Sequence, residues 1–91
     1  MASVITSGYP TTSEFFAAYL YGLGYPLLRH EADSGGWVEF FFKVETIEGE
    51  RLRKAFDEDT VPVAPQTFIR GIREIRQIIR REKEKREKPG G

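Results

Sequence analysis

Along this chain the apolar positions keep a helical period in three stretches and a strand period in one. In TTSEFFAAYLYGLGYP, residues 11–26, the side chains Phe15, Phe16, Ala18, Tyr19, Leu20 and Leu23 recur at intervals of three and four, which predicts an amphipathic helix. Thr11 stands three residues before Glu14, the capping-box spacing in which each side chain satisfies the other's free backbone N–H. Ser13 competes for the same role. Gly24 suits the left-handed residue just past a helix, and Pro26 prevents continuation.

The next segment, PLLRHEADSGGWVEFFFKV, reads as a β-hairpin turning at Asp33-Ser34-Gly35-Gly36. In its second strand, alternation places Val38, Phe40, Phe42 and Val44 on one face and Trp37, Glu39, Phe41 and Lys43 on the other. The first set is the predicted core face. A shorter helix follows in ETIEGERLRKAFDED, capped by Thr46, with Ile47, Leu52, Ala55 and Phe56 inward. Gly49 weakens that helix by about 1 kcal/mol relative to alanine. The stretch TVPVAP is extended, and Pro65 fits the first turn of a last helix.

That helix carries Phe68, Ile72, Ile75 and Ile79 at spacings of four, three and four, with Ile69 and Ile78 on the shoulders of the seam. Its apolar positions stop at Ile79. Beyond lies RREKEKREK, whose pairs Glu82–Arg86 and Glu84–Lys88 keep the favourable acid-first order four apart. The expectation is a single α+β domain over residues 1–80 and a charged, fraying extension over 81–91. The element order is (β)-α-β-β-α-α, a small antiparallel sheet packed by helices mainly on one face, with SVIT (residues 3–6) as a possible edge strand.

At 91 residues the chain is one domain that buries about two-thirds of its unfolded surface, so its stability is modest unless association adds to it. Cysteine is absent and histidine occurs once, which excludes disulfides, thiolate or His-rich metal sites and Cys nucleophiles. No Ca²⁺ loop is visible either, so neither metal nor cofactor is expected. Nothing in MASVITSGYP reads as a secretion signal, no run is long enough to span a membrane, and a cytoplasmic location is expected. The zero net charge hides an asymmetry: residues 1–69 carry −5 and residues 70–91 carry +5. Such a chain can associate head to tail or offer its basic end to an acidic partner.

Taken together, TTSEFFAAYLYGLGYPLLRHE, WVEFFF, the short acidic helix with AF, and VPVAPQTFIRGIREIRQII resemble a small uncharacterised bacterial and phage domain. Its members read T-[ST]-D/S, an aliphatic helix ending G-[FY]-x-L, a V-x-F-x-F strand, and V-x-A/P-x-x-F opening the last helix. The resemblance covers residues 9 to about 80 and implies an α+β architecture, with an accessory role in phages or mobile elements. It implies no catalytic residue. The chain departs from the pattern at Asp57-Glu58-Asp59-Thr60, where members more often have Asn-Gly.

The chemistry on offer is thin. His30 is the chain's one histidine, the residue type best suited to acid–base work, and its neighbour Glu31 points to the opposite face of a strand, so the two form no dyad. Ser34 has no base at any local spacing, and no phosphate loop or nucleophile elbow is present. Catalysis is therefore not expected. Tyr9, Tyr19, Tyr21 and Tyr25 gather around the first helix, Tyr19 inward and Tyr21 outward, which is ordinary amphipathic use. Trp37 and Phe41 on the outward strand face, with Ile69 and Ile78, are the residues assigned to a protein partner or a second copy. Arg73, Arg76 and Arg80 share a stripe beside the isoleucine seam and supply the alternative, nucleic-acid binding. The interleaved Glu residues weigh against that alternative, because they repel a phosphate backbone.

Overall fold

Phe40, Phe41 and Phe42 lie in the middle strand of a three-stranded antiparallel sheet, and the rest of the molecule is arranged around them. The structure is a computed structural model and describes residues 8–60 and 63–87. Its elements run β1 (Tyr9–Thr11), α1 (Glu14–Leu23), β2 (Leu27–Ala32), β3 (Val38–Phe42), α2 (Thr46–Asp57) and α3 (Pro65–Glu87). The fold is α+β in the expected order. The sheet order is β1-β3-β2, with Tyr9 opposite Phe42 on one side of β3 and His30 opposite Phe40 on the other. The third strand is thus Tyr9–Thr11, while SVIT falls outside the described residues. Pro10 is tolerated there because β1 is an edge strand, where a missing N–H costs no ladder bond.

Period-two alternation holds in β3. Val38, Phe40, Phe42 and Val44 are all buried in one cluster with Phe16, Ala17, Ala18, Tyr19 and Leu20 of α1 and Ile75 of α3. Phe16 and Tyr19 also meet Phe56 of α2, with ring centroids 5.5 and 5.4 Å apart. Helix α1 starts at Ser13, whose Oγ accepts from the Phe16 N–H at 3.1 Å. The expected Thr11–Glu14 box does not form. Thr11 belongs to β1, is buried, and its Oγ1 accepts from the Ser13 N–H instead. At the far end Gly24 sits at φ 99°, and Tyr25 N–H returns to the Leu20 carbonyl, closing the helix as anticipated.

Helix α2 departs from its pattern. Glu45 precedes it without a side-chain cap, Thr46 is its first residue, and Ile47, expected inward, is 84% exposed. Leu52 is buried and Phe56 partly so. A Cβ at Gly49 would lie 2.7 Å from the Tyr9 ring, so the helix approaches β1 through its backbone there, and Ile47, roughly 160° around the helix from Gly49, faces solvent. The helix closes with Asp59 at φ 58° and Thr60 N–H on the Ala55 carbonyl, a glycine-like role that aspartate tolerates.

A second close approach joins the two long helices. Gly71 is buried against the Ala18 carbonyl, and Gly22 faces Thr67. This crossing lays α3 across the inner face of the sheet, with Ile75 fully buried and Phe68, Ile72, Ile78 and Ile79 packed against the core. Helix α3 does not leave the body at Ile79. It runs unbroken to Glu87, and Glu82 still touches β2.

Candidate partner-binding surface

The hairpin turn and the start of α1 meet at one end of the molecule, and local chemistry fixes both. Asp33 Oδ1 accepts from the N–H groups of Gly35 and Trp37 at 2.9 and 3.0 Å, while the Asp33 N–H donates to the Trp37 carbonyl at 3.0 Å. This closed loop delivers Trp37 just ahead of β3 with its indole in solvent, 71% exposed. Across from it, the Ser13 cap sets the first turn of α1 so that Phe15 points outward, 47% exposed, while Phe16 goes into the core. Between the two aromatics lies an open groove of about 570 Å³ floored by Val38 and Ile79 and edged by Thr12 and Glu14.

One basic side chain stands over this groove. Arg76 pairs with the Glu14 carboxylate, and its guanidinium lies 5.8 Å from the centre of the Phe15 ring. On the other side of the indole is a smaller hollow of about 200 Å³, lined by Thr12, Glu31, Ala32, Asp33, Trp37 and Glu39. Glu31 and Glu39 are direct cross-strand partners. Trp37 therefore separates an apolar concavity from an acidic one.

The residues assigned from sequence do not share one surface. Phe41, expected to pair with Trp37 in solvent, is 9% exposed: the Arg29 guanidinium lies 4.0 Å from its ring centre, and Gly8 and Leu28 close in beside it. It remains outside the main core cluster, on the face away from the helices, and is unavailable as a contact. Ile69 is half-exposed, whereas Ile78 packs partly against the core and helps line a third groove with Tyr21, Tyr25 and Leu27. Tyr21, expected in open water, is half-buried there. The arginine stripe is divided, since Arg76 is tied to Glu14 while Arg73 and Arg80 are exposed. Phe15 had been placed on the apolar stripe of its helix and is the groove residue that sequence reasoning missed.

His30 does meet a carboxylate, though not its neighbour. Its Nε2 lies 2.9 Å from Glu82 Oε2, with Lys85 Nζ 3.4 Å from the same oxygen. The pair sits where the inner face of β2 passes beneath α3, and His30 lies opposite Phe40. The hydrogen bond to His30, followed by the nearby Lys85, holds the Glu82 carboxyl below the usual range against the opposing effect of desolvation. Neither residue lines the three grooves described above, so the pair anchors a helix end rather than addressing a cleft. A signal existed: Glu82 continues the four-three spacing of the seam from Ile75 and Ile79, which assigns it to the buried side. Other ionic contacts are structural. Arg51 holds the Glu48 carboxyl below its usual range, and Glu48 in turn accepts from the Tyr25 hydroxyl.

Among the described residues no three His, Asp or Glu side chains are grouped to hold a metal ion, and no helix is long and apolar enough to cross a membrane. Compared with protein-family models, with curated proteins and with solved structures, the chain matches none.

Proposed function

We propose that this protein acts by binding rather than turnover, and that its working contact is a second copy of itself or another protein seated on the Phe15–Trp37 groove. The observation that carries this reading is the pair of large aromatics held in solvent on either side of an apolar floor. Covering the remaining surface of Trp37 alone is worth about 3–4 kcal/mol of gross hydrophobic free energy. Phe15, Val38 and Ile79 add to that, against an association cost of several kcal/mol.

The chain contains a single tryptophan, and it stands in the groove, so the site reports on itself. Sedimentation velocity from low to high micromolar concentration, paired with tryptophan emission, tests self-association. Mass should rise with concentration while emission shifts to the blue, and Trp37→Ala should abolish the rise in mass. A species that stays monomeric throughout, with unshifted emission, overturns it. Nucleic-acid binding through Arg73, Arg76 and Arg80 is the weaker alternative, because Glu14 already engages Arg76 and would have to surrender it.

A further inference from the structure

The acidic hollow behind Trp37 and the basic end of α3 are complementary, yet one copy cannot bring them together. Glu31 and Glu39 alternate with the inward residues of their strands, which places their carboxylates on the face opposite the one α3 covers. As direct cross-strand partners of like charge they repel; Arg29 Nε, 3.0 Å from Glu31 Oε2, offsets part of that cost from beside the hollow, and an incoming cation at Glu39 and Asp33 relieves more of it. Asp33 lies at the same hollow, whose lining contains three carboxylates, an indole wall and no lysine or arginine. A face of tryptophan beside carboxylates is the surface that a lysine or arginine side chain recognises.

The matching cations are in the chain itself. The stripe Arg73, Arg76, Arg80 continues at the same three- and four-residue spacing to Lys83, and both Arg80 and Lys83 are exposed. Residues 80–85 hold four basic and two acidic groups. Of those acids, Glu82 is drawn in against His30, its side chain only 17% exposed, so the helix end presents more positive charge outward than its composition implies. The His30–Glu82 bond also fixes the azimuth of α3, turning one defined side of its last turns to solvent.

We propose that the basic end of α3, through Arg80 and Lys83, docks into the Trp37 hollow of a second copy, so that copies join head to tail. This rests on the self-association proposed above and adds the acidic side of Trp37 to its contact. The two patches differ, so the contact closes into a two-fold dimer only where both copies exchange helix ends reciprocally, and otherwise forms a ring or an open-ended chain. Because the contact pairs exposed charges, it weakens steeply with salt.

Charge reversal in two separate variants provides the test. Glu31→Lys with Glu39→Lys makes the hollow basic, and Arg80→Glu with Lys83→Glu makes the helix end acidic. Sedimentation velocity at low ionic strength should show each variant alone at least tenfold weaker in association than the parent, and an equimolar mixture restored. Restoration also shows that both variants are folded. Association that survives either reversal, or a mixture that fails to recover, overturns head-to-tail docking while leaving self-association in place. A parent chain that never associates removes both.

Discussion

Replacing Gly71 with alanine sets a local gain against a tertiary cost, and the structure decides the sign. In an isolated helix the change is favourable by about 1 kcal/mol, because alanine loses less backbone freedom than glycine. In this fold the added Cβ would stand 2.3 Å from the Ala18 carbonyl oxygen and 3.1 Å from its carbon. Both atoms are backbone in the middle of α1, so neither can rotate away. Real Cβ atoms essentially never come closer than 3.0 Å, so relief requires α1 and α3 to part by at least ~0.7 Å at the crossing. A gap of that size forfeits roughly a quarter to a half of each dispersion contact across it. The crossing lies among fully buried residues, including Ala17, Ala18 and Ile75. Overpacking of this kind costs about 1–3 kcal/mol or more, which leaves a net loss of about 2 kcal/mol after the propensity gain at the upper end. For a domain of this size that lowers the melting temperature by roughly 8–16 °C. Calorimetry or far-UV circular dichroism on Gly71→Ala reads the change directly. A raised melting temperature would falsify the close helix crossing, since propensity would then have acted alone.

Two further expectations concern protons. Glu82 has its carboxyl held below the usual value by His30 and Lys85, so its contribution is present above the unfolded carboxylate range and is lost as pH falls through the folded value. Protection factors of amides 80–87 against hydrogen exchange, corrected for the intrinsic rate at each pH, should therefore fall on acidification before those of the core amides. Glu82→Gln should remove that separate acid step, and a step unaltered by the substitution would show that another group holds the helix end. Tyr9 is pushed up to about 12, by burial first and then by its 3.0 Å hydrogen bond to Glu50. A raised phenol value stabilises the fold fully below the ordinary tyrosine range near 10, and that stability drains away as pH climbs toward 12. Burial also raises Tyr19 and Tyr25, so ultraviolet titration should show a late phase that accompanies alkaline unfolding, and Tyr9→Phe should remove the latest part of it. Ordinary titration of all four tyrosines would contradict the buried position of Tyr9.

Much of the architecture is written locally. The end of α1 follows from Gly24 adopting a positive φ that other residues resist, and the hairpin follows from Asp33 binding the N–H groups of its own turn. The period-two run in β3 and the four-three seam of α3 follow likewise from which side chains can share a face. Each of these depends on interactions within one short segment, so the order of residues suffices to specify it. Composition also narrowed the chemistry, because a chain without cysteine and with one histidine has few reactive groups to assemble.

What covers a face depends on segments far apart in the chain, and there local reading fell short. Ile47 was expected inward, but at 100° per residue it lies roughly 140° from Leu52 and 180° from Phe56, so once those two and Gly49 face the body it must face solvent. Phe41 alternates outward as expected, but Arg29 from the neighbouring strand closes over it. Phe15 shares the apolar stripe of α1, and only the approach of the hairpin and α3 makes it one wall of a groove. His30 and Glu82 are 52 residues apart, and no local spacing connects them. Periodicity sorts side chains into faces at no cost in chain entropy. Deciding which face is buried requires distant segments to be brought together, and that outcome is set by the packing of the whole molecule rather than by any window of its sequence.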